Sequence, residues 1–231
     1  MYKVNGTKDI AEIFQKQLEY GHFVKDRNGG NTIEILGASF VADEPAIFGT
    51  PNEEYIKAEI DWYESQSTNI SDIYPEGDKQ PPEAWQHTAN VHGEINSNYG
   101  HLLYSDKYYN QRGNALQELL TNPDSRRASM IYQRPSIWKE YNENGKSDFI
   151  CTNAVTYYIR DGYLHASVQM RSNDVIFGYR NDYAWQKYVQ DDLLFSLNEI
   201  LIGDQKTLEP GYIYWQVQNL HVYERHFDLV K

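Results

Sequence analysis

Two residues, Asp161-Gly162, set more of this chain's geometry than any other pair. A two-residue Asp-Gly loop between strand-like runs closes a tight β-hairpin. The runs on either side read as strands, near Phe149–Ile159 and Tyr163–Arg171. The turn pairs Arg160 with Tyr163. Counting back along the ladder puts Cys151 opposite Ser172, with Arg171 beside it. Opposed residues share a face at about 5 Å between Cβ atoms. A bulge in either strand would shift that register.

Cys151 is the one cysteine in 231 residues. It cannot form an intrachain disulfide, and a structural zinc site needs several such ligands close together. It is either a small packed hydrophobe or a nucleophile. The expected neighbourhood Arg171-Ser172-Asn173-Asp174 favours the nucleophile, because a nearby guanidinium lowers a thiol pKa.

The composition is 40% hydrophobic and 14% aromatic, enough for one sizeable core, so a single domain over 1–231 is expected. A net charge of −12 argues against nucleic acid and anionic membranes as partners. No run reaches the roughly 18 apolar residues of a membrane span. The start, Met1-Tyr2-Lys3-Val4-Asn5-Gly6-Thr7, has no export signature, so the cytoplasm is the expected compartment. No histidine lies in a zinc-binding motif, and no metal is expected.

Along the chain, Thr7 is a candidate N-cap for a helix presenting Ile10, Ile13, Phe14 and Leu18. Asn28-Gly29-Gly30-Asn31 reads as a turn and Thr32–Gly37 as a strand. Helices are expected over Glu53–Ser65, Lys107–Leu120 and Asp182–Ile200, with strands near Ala128–Gln133 and Gly211–Val217. Residues 66–84 read as loop. This mixture predicts an α+β domain with a mostly buried sheet.

Glu59 has Tyr55, Ile56, Trp62 and Tyr63 as its helical neighbours, so it points with the core stripe. A carboxylate there is either a general acid/base with a raised pKa or a snorkelling or backbone-bonded glutamate. Arg126-Arg127 is either a solvated pair or a phosphate clamp; on a straight strand the two would face opposite ways. Asp182 is either an N-cap or a site residue. His221 and Tyr223 share a strand face and could hold a sugar hydroxyl or merely fill an edge strand.

These residues together resemble the thymidylate synthase superfamily, and within it the T-even phage type of deoxycytidylate hydroxymethylase. The likeness runs nearly end to end. It is carried by Thr32-Ile33-Glu34-Ile35, Gly37 through Pro45, Gly93 through Gly100, Asn122 through Arg127, Cys151-Thr152-Asn153, Met170 through Gln186 and Leu220-His221-Val222-Tyr223. The chain has Ile150-Cys151-Thr152 where synthases carry Pro-Cys-His, as hydroxymethylases do. Synthases run on past the position of Lys231 into a tail that closes over folate.

The resemblance implies a thymidylate synthase-like fold that dimerises through a sheet face. It also implies one-carbon transfer from the co-substrate 5,10-methylenetetrahydrofolate to C5 of dCMP with addition of water, releasing tetrahydrofolate. Cys151 would add to C6, and Glu59 would be the acid/base. Arg171 and Ser172 would hold the phosphate, joined by Arg126 and Arg127 from the partner of a homodimer. His221 and Tyr223 would hold the 3′-hydroxyl, the backbone near Asp174 would meet the base O2, and Tyr99 would line the substrate site. Asp182, four residues after Gly178, stands where synthases have asparagine, and a carboxyl suits cytosine rather than uracil. A thymidylate synthase, a CMP or dUMP hydroxymethylase and a non-catalytic nucleotide binder are the alternatives.

Overall fold

A computed structural model describes residues 5–26, 29–200 and 207–231. Met1–Val4 of the N-terminal run and Asn28 of the expected turn lie outside these. The elements run α1 (Thr7–Glu19), β1 (Val24–Lys25), β2 (Asn31–Val41), α2 (Glu53–Ser65), α3 (Glu83–Thr88), α4 (Tyr99–Tyr104) and α5 (Gln111–Thr121). They continue through β3 (Ser129–Ile131), α6 (Ile137–Glu140), β4 (Thr152–Arg160), β5 (Tyr163–Met170), β6 (Asn173–Asp174), α7 (Gly178–Ile200) and β7 (Glu209–Tyr223). No described helix is long and apolar enough to cross a membrane.

The fold is α+β, as expected. Its strands form one mixed sheet in the order β1-β2-β7-β5-β4-β3, with β6 added alongside β7. β5 and β7 run parallel, and α7 makes the crossover between them. Alternation along the strands sends Val155 and Tyr157 of β4, Leu164, Ala166 and Val168 of β5, and Ile213, Trp215 and Val217 of β7 into the core. Trp185, Val189, Leu193 and Leu197 of α7 lie in the same core. The opposite sheet face is left open, with Tyr212 61% and Ile131 56% exposed.

The hairpin forms as read. Asp161 and Gly162 both take positive φ, at 53° and 86°, and Arg160 pairs with Tyr163. The ladder then breaks. Thr152 pairs with Met170 while Ala154 pairs with Gln169, so Asn153 is bulged out. The register slips by one residue, and the amide of Arg171, not Ser172, bonds the Cys151 carbonyl at 2.9 Å.

Three local expectations are corrected. Thr7 is the first helical residue and not the cap; its amide and hydroxyl both donate to Asp43 Oδ1 at 2.8 Å. The 66–84 stretch is not all loop, because a 3-10 turn forms at Ile70–Ile73 and α3 begins at Glu83. Asp182 is not an N-cap: α7 starts four residues earlier, and Asp174 Oδ2 accepts from the amides of Phe177 and Gly178 there.

The packing of α2 on α4 explains the Asn98-Tyr99-Gly100 segment. Asn98 Oδ1 caps α4 by accepting from His101, and its amide donates to the carbonyls of Trp62 and Ser67. A Cβ on Gly100 would lie 1.7 Å from the Tyr63 carbonyl oxygen. That contact is with backbone and cannot be relieved by a rotamer change. Gly100→Ala is therefore expected to destabilise the protein by about 3 kcal/mol or more. Urea denaturation would check this, and a midpoint near that of the wild type would contradict the close approach.

Candidate active site

Cys151 lies immediately before β4, half-buried. The bulge that shifts the ladder brings the Arg171 guanidinium to it. Arg171 Nη2 lies 3.5 Å from Sγ, and the same side chain donates to the carbonyls of Ile150, at 2.9 Å, and Phe149. Arg171 is thus beside the thiol as expected, by a different register. The expected net lowering of the thiol pKa is not. Burial pushes the thiol up to about 11; Arg171 pulls it down, and Asp182 and Asp148 push it further up. The thiol is protonated at neutral pH.

Glu59 is 5% exposed on α2. Tyr55, one turn back, donates its hydroxyl proton to Glu59 Oε1, and Trp85 Nε1 donates to the same oxygen at 3.0 Å. Burial raises the carboxyl to about 7, and the two donors hold it from rising further.

Asp182 reaches the same region from α7. Asn173 Nδ2 donates to its Oδ2 at 2.8 Å, and Asn173 Oδ1 accepts from Trp215 Nε1. Burial, with the negative field of Glu59, pushes Asp182 well above the usual carboxylate range. The Asp182 carboxyl acts electrostatically on Cys151, Tyr63 and Tyr99, so these groups converge on one place. Tyr99 is buried beside them, and its hydroxyl accepts from Thr152 at 3.0 Å.

His221 sits on β7 opposite Asp174 of β6. Its Nδ1 is 3.1 Å from Asn219 Oδ1, an acceptor. The proton therefore belongs on Nδ1, and Nε2 is left as an acceptor. Burial lowers its pKa, which keeps the ring neutral. The Tyr223 ring packs edge-on against it at 4.7 Å. Ser172 follows Arg171, half-exposed.

Arg126 and Arg127 are not brought to this cluster within the chain. Both are exposed, and Arg127 Nε pairs with Glu118 at 2.9 Å. The Ala128 carbonyl next to them accepts from Tyr157. Tyr157 is six residues along β4 from Cys151, about 20 Å at the usual rise.

Several contributors went unread in the sequence. Trp85 lies 26 residues from Glu59 along the chain, and no spacing rule connects them. Tyr55 was legible as a helical neighbour but not as a hydrogen-bond donor. Asn173, expected only as a neighbour of the thiol, instead orients Asp182. Buried Asp148 accepts from the amides of Asn96 and Ser97 and from the Ser97 hydroxyl, tying the segment before Tyr99 to the one carrying Cys151.

A partly buried thiol beside a guanidinium, a carboxyl tuned near neutrality and a second carboxyl raised well above its usual range can together support nucleophilic addition to a polar ring with proton transfer. The Thymidylate synthase family model matches residues 8–231. The deoxycytidylate 5-hydroxymethyltransferases of enterobacteria phages T4, T2 and T6 are each 55% identical over 209 residues, covering 90% of this chain and 82% of theirs. With a match of that extent and a cluster built from its own residues, the chain belongs to the thymidylate synthase family.

Proposed function

We propose that this chain is a deoxycytidylate 5-hydroxymethyltransferase, a single 1–231 domain that converts dCMP, 5,10-methylenetetrahydrofolate and water to 5-hydroxymethyl-dCMP and tetrahydrofolate. The similarity to three phage enzymes of that name supports the reaction. The observation that carries the choice of base is Asp182. It is this residue, not neighbouring Asn181, that bonds Asn173 and couples to Cys151 and Glu59.

Cys151 bonds to C6 of the pyrimidine, and its proton passes to solvent as the bond forms, since the thiol starts protonated. C5 thereby becomes nucleophilic. The folate co-substrate supplies the one-carbon unit. Phe177, 47% exposed immediately before α7, offers an aromatic face for its ring system. Loss of the C5 proton to water and of tetrahydrofolate as leaving group gives an exocyclic methylene; Glu59 orients the water that adds to it, and Cys151 leaves C6. Asp182 shares its proton with N3 and accepts from the 4-amino group, while Asn173 fixes the carboxyl. Tyr99 lines this pocket. Arg171 and Ser172 receive the phosphate, His221 and Tyr223 the 3′-hydroxyl, and the backbone near Asp174 the base O2.

Arg126 and Arg127 complete the phosphate site of a second copy. The open, aromatic-rich sheet face supports a homodimer formed through it. We place the activity in the cytoplasm, where a lone thiol stays reduced.

Incubation with folate and dCMP, dUMP or CMP, followed by product mass, tests the reading. A gain of CH2O on dCMP is expected. Unchanged dCMP with methylation of dUMP would replace the assignment with a thymidylate synthase. Binding without any mass change would replace it with a non-catalytic relative.

A further inference from the structure

Hydrogen-bond direction around Glu59 can be assigned completely. An indole N–H only donates. Trp85 Nε1 lies 2.9 Å from the Tyr55 hydroxyl oxygen and 3.0 Å from Glu59 Oε1. Tyr55 therefore accepts from the indole, and its single proton goes to Glu59 Oε1. Both donors land on one oxygen. Glu59 Oε2 receives no hydrogen bond from any described residue, and it is not sealed off from solvent. In the neutral acid a hydroxyl oxygen accepts poorly, so the doubly bonded Oε1 is the carbonyl and the proton resides on Oε2. The titratable groups facing Glu59 are Tyr55 and Tyr63 from its own helix and Asp182 from α7. Of these, only Tyr55 hydrogen-bonds it.

We propose that Tyr55 is a positioning residue: with Trp85 it occupies Glu59 Oε1 and makes Oε2 the one oxygen that gives and takes a proton in the site. This rests on the proposed reading of Glu59 as the acid/base. Without Tyr55, Oε1 would have one donor fewer, and the proton would distribute over both oxygens.

Tyr55→Phe removes one oxygen and little volume. We expect kcat to fall about tenfold and the KM for dCMP to stay within about twofold. The Glu59 midpoint in the pH–rate profile should rise by about one unit, because the charged form loses a donor. A substrate-free measurement separates this from the reaction itself. The infrared C=O stretch of protonated Glu59, identified by subtraction of Glu59→Gln, should lie at the low frequency of a doubly hydrogen-bonded carbonyl and move up in Tyr55→Phe. A fall in kcat with midpoint and band both unmoved would reduce Tyr55 to a structural role and overturn the proposal. If the variant does not fold, the wild-type band decides, and a free-carbonyl frequency overturns it. A shifted band in a protein that leaves dCMP unchanged would keep the hydrogen-bond assignment and overturn the reaction.

Discussion

Cys151→Ser is expected to lower kcat by about 10⁴-fold or more while leaving dCMP affinity within about threefold of wild type. The two halves of this expectation come from different atoms. Turnover depends on Sγ bonding to C6. Even the thiol is held at about 11 by burial, and a serine hydroxyl is both harder to ionise and a poorer nucleophile. Affinity depends on the cation beside it. Arg171 is anchored through the carbonyls of Ile150 and Phe149, and its guanidinium also packs 4.9 Å over the Phe149 ring. None of these contacts involves sulfur, so the phosphate-binding group keeps its place in the variant. Single-turnover kinetics with dCMP and calorimetric titration of dCMP measure the two halves. A variant turning over within tenfold of wild type would remove the covalent step from the mechanism. Loss of binding together with turnover would show that the thiol holds the site together and is not a separable nucleophile.

How much of this site is legible in the chain depends on how local the responsible interaction is. The α2 boundaries, Glu53–Ser65, coincide with the expected ones because Asn52 caps the helix and the apolar stripe runs its length. The inward placement of Glu59 follows from the same periodicity. The β4–β5 hairpin is legible because its turn chemistry sits between its strands. The bulge at Asn153 is not. It comes with an arrangement outside the hairpin, in which the amides of both Tyr132 and Gln133 donate to the Asn153 carbonyl. The sign of the Cys151 shift is hidden for a related reason. The sequence names Arg171 as a neighbour, but the depth of the pocket and the presence of Asp182 and Asp148 are tertiary facts, and together they outweigh the guanidinium. By position in the sequence Asp182 reads as a helix cap, because it precedes the apolar stripe. The helix in fact starts at Gly178, with Asp174 serving its amides, which frees Asp182 to face the cluster.

That freedom is why Asp182→Asn should have the second large effect. It should lower kcat/KM for dCMP by about 10³-fold and shift preference toward dUMP. Neutral Asp182 and an asparagine amide present the same pattern, one acceptor and one donor, and Asn173 Nδ2 would still be met by an oxygen. Binding of dCMP is therefore expected to survive, and the loss should fall on turnover. Only the carboxyl can hand its proton toward N3 as the thiol attacks C6. An amide cannot, whereas for uracil it can accept from N3–H and donate to O4. The pH dependence carries the same signature. Burial and the field of Glu59 keep Asp182 protonated far above the usual carboxylate range. Raising the pH eventually ionises it and removes the shared proton, so the wild-type dCMP rate should fall on the alkaline side, and the asparagine variant should lack that limb. Stability is not expected to drop, since the substitution replaces a buried ionisable group with a neutral isostere. Steady-state rates on both nucleotides across pH measure this. If the asparagine variant converted dCMP at the wild-type rate, base selection would have to reside elsewhere in the pocket.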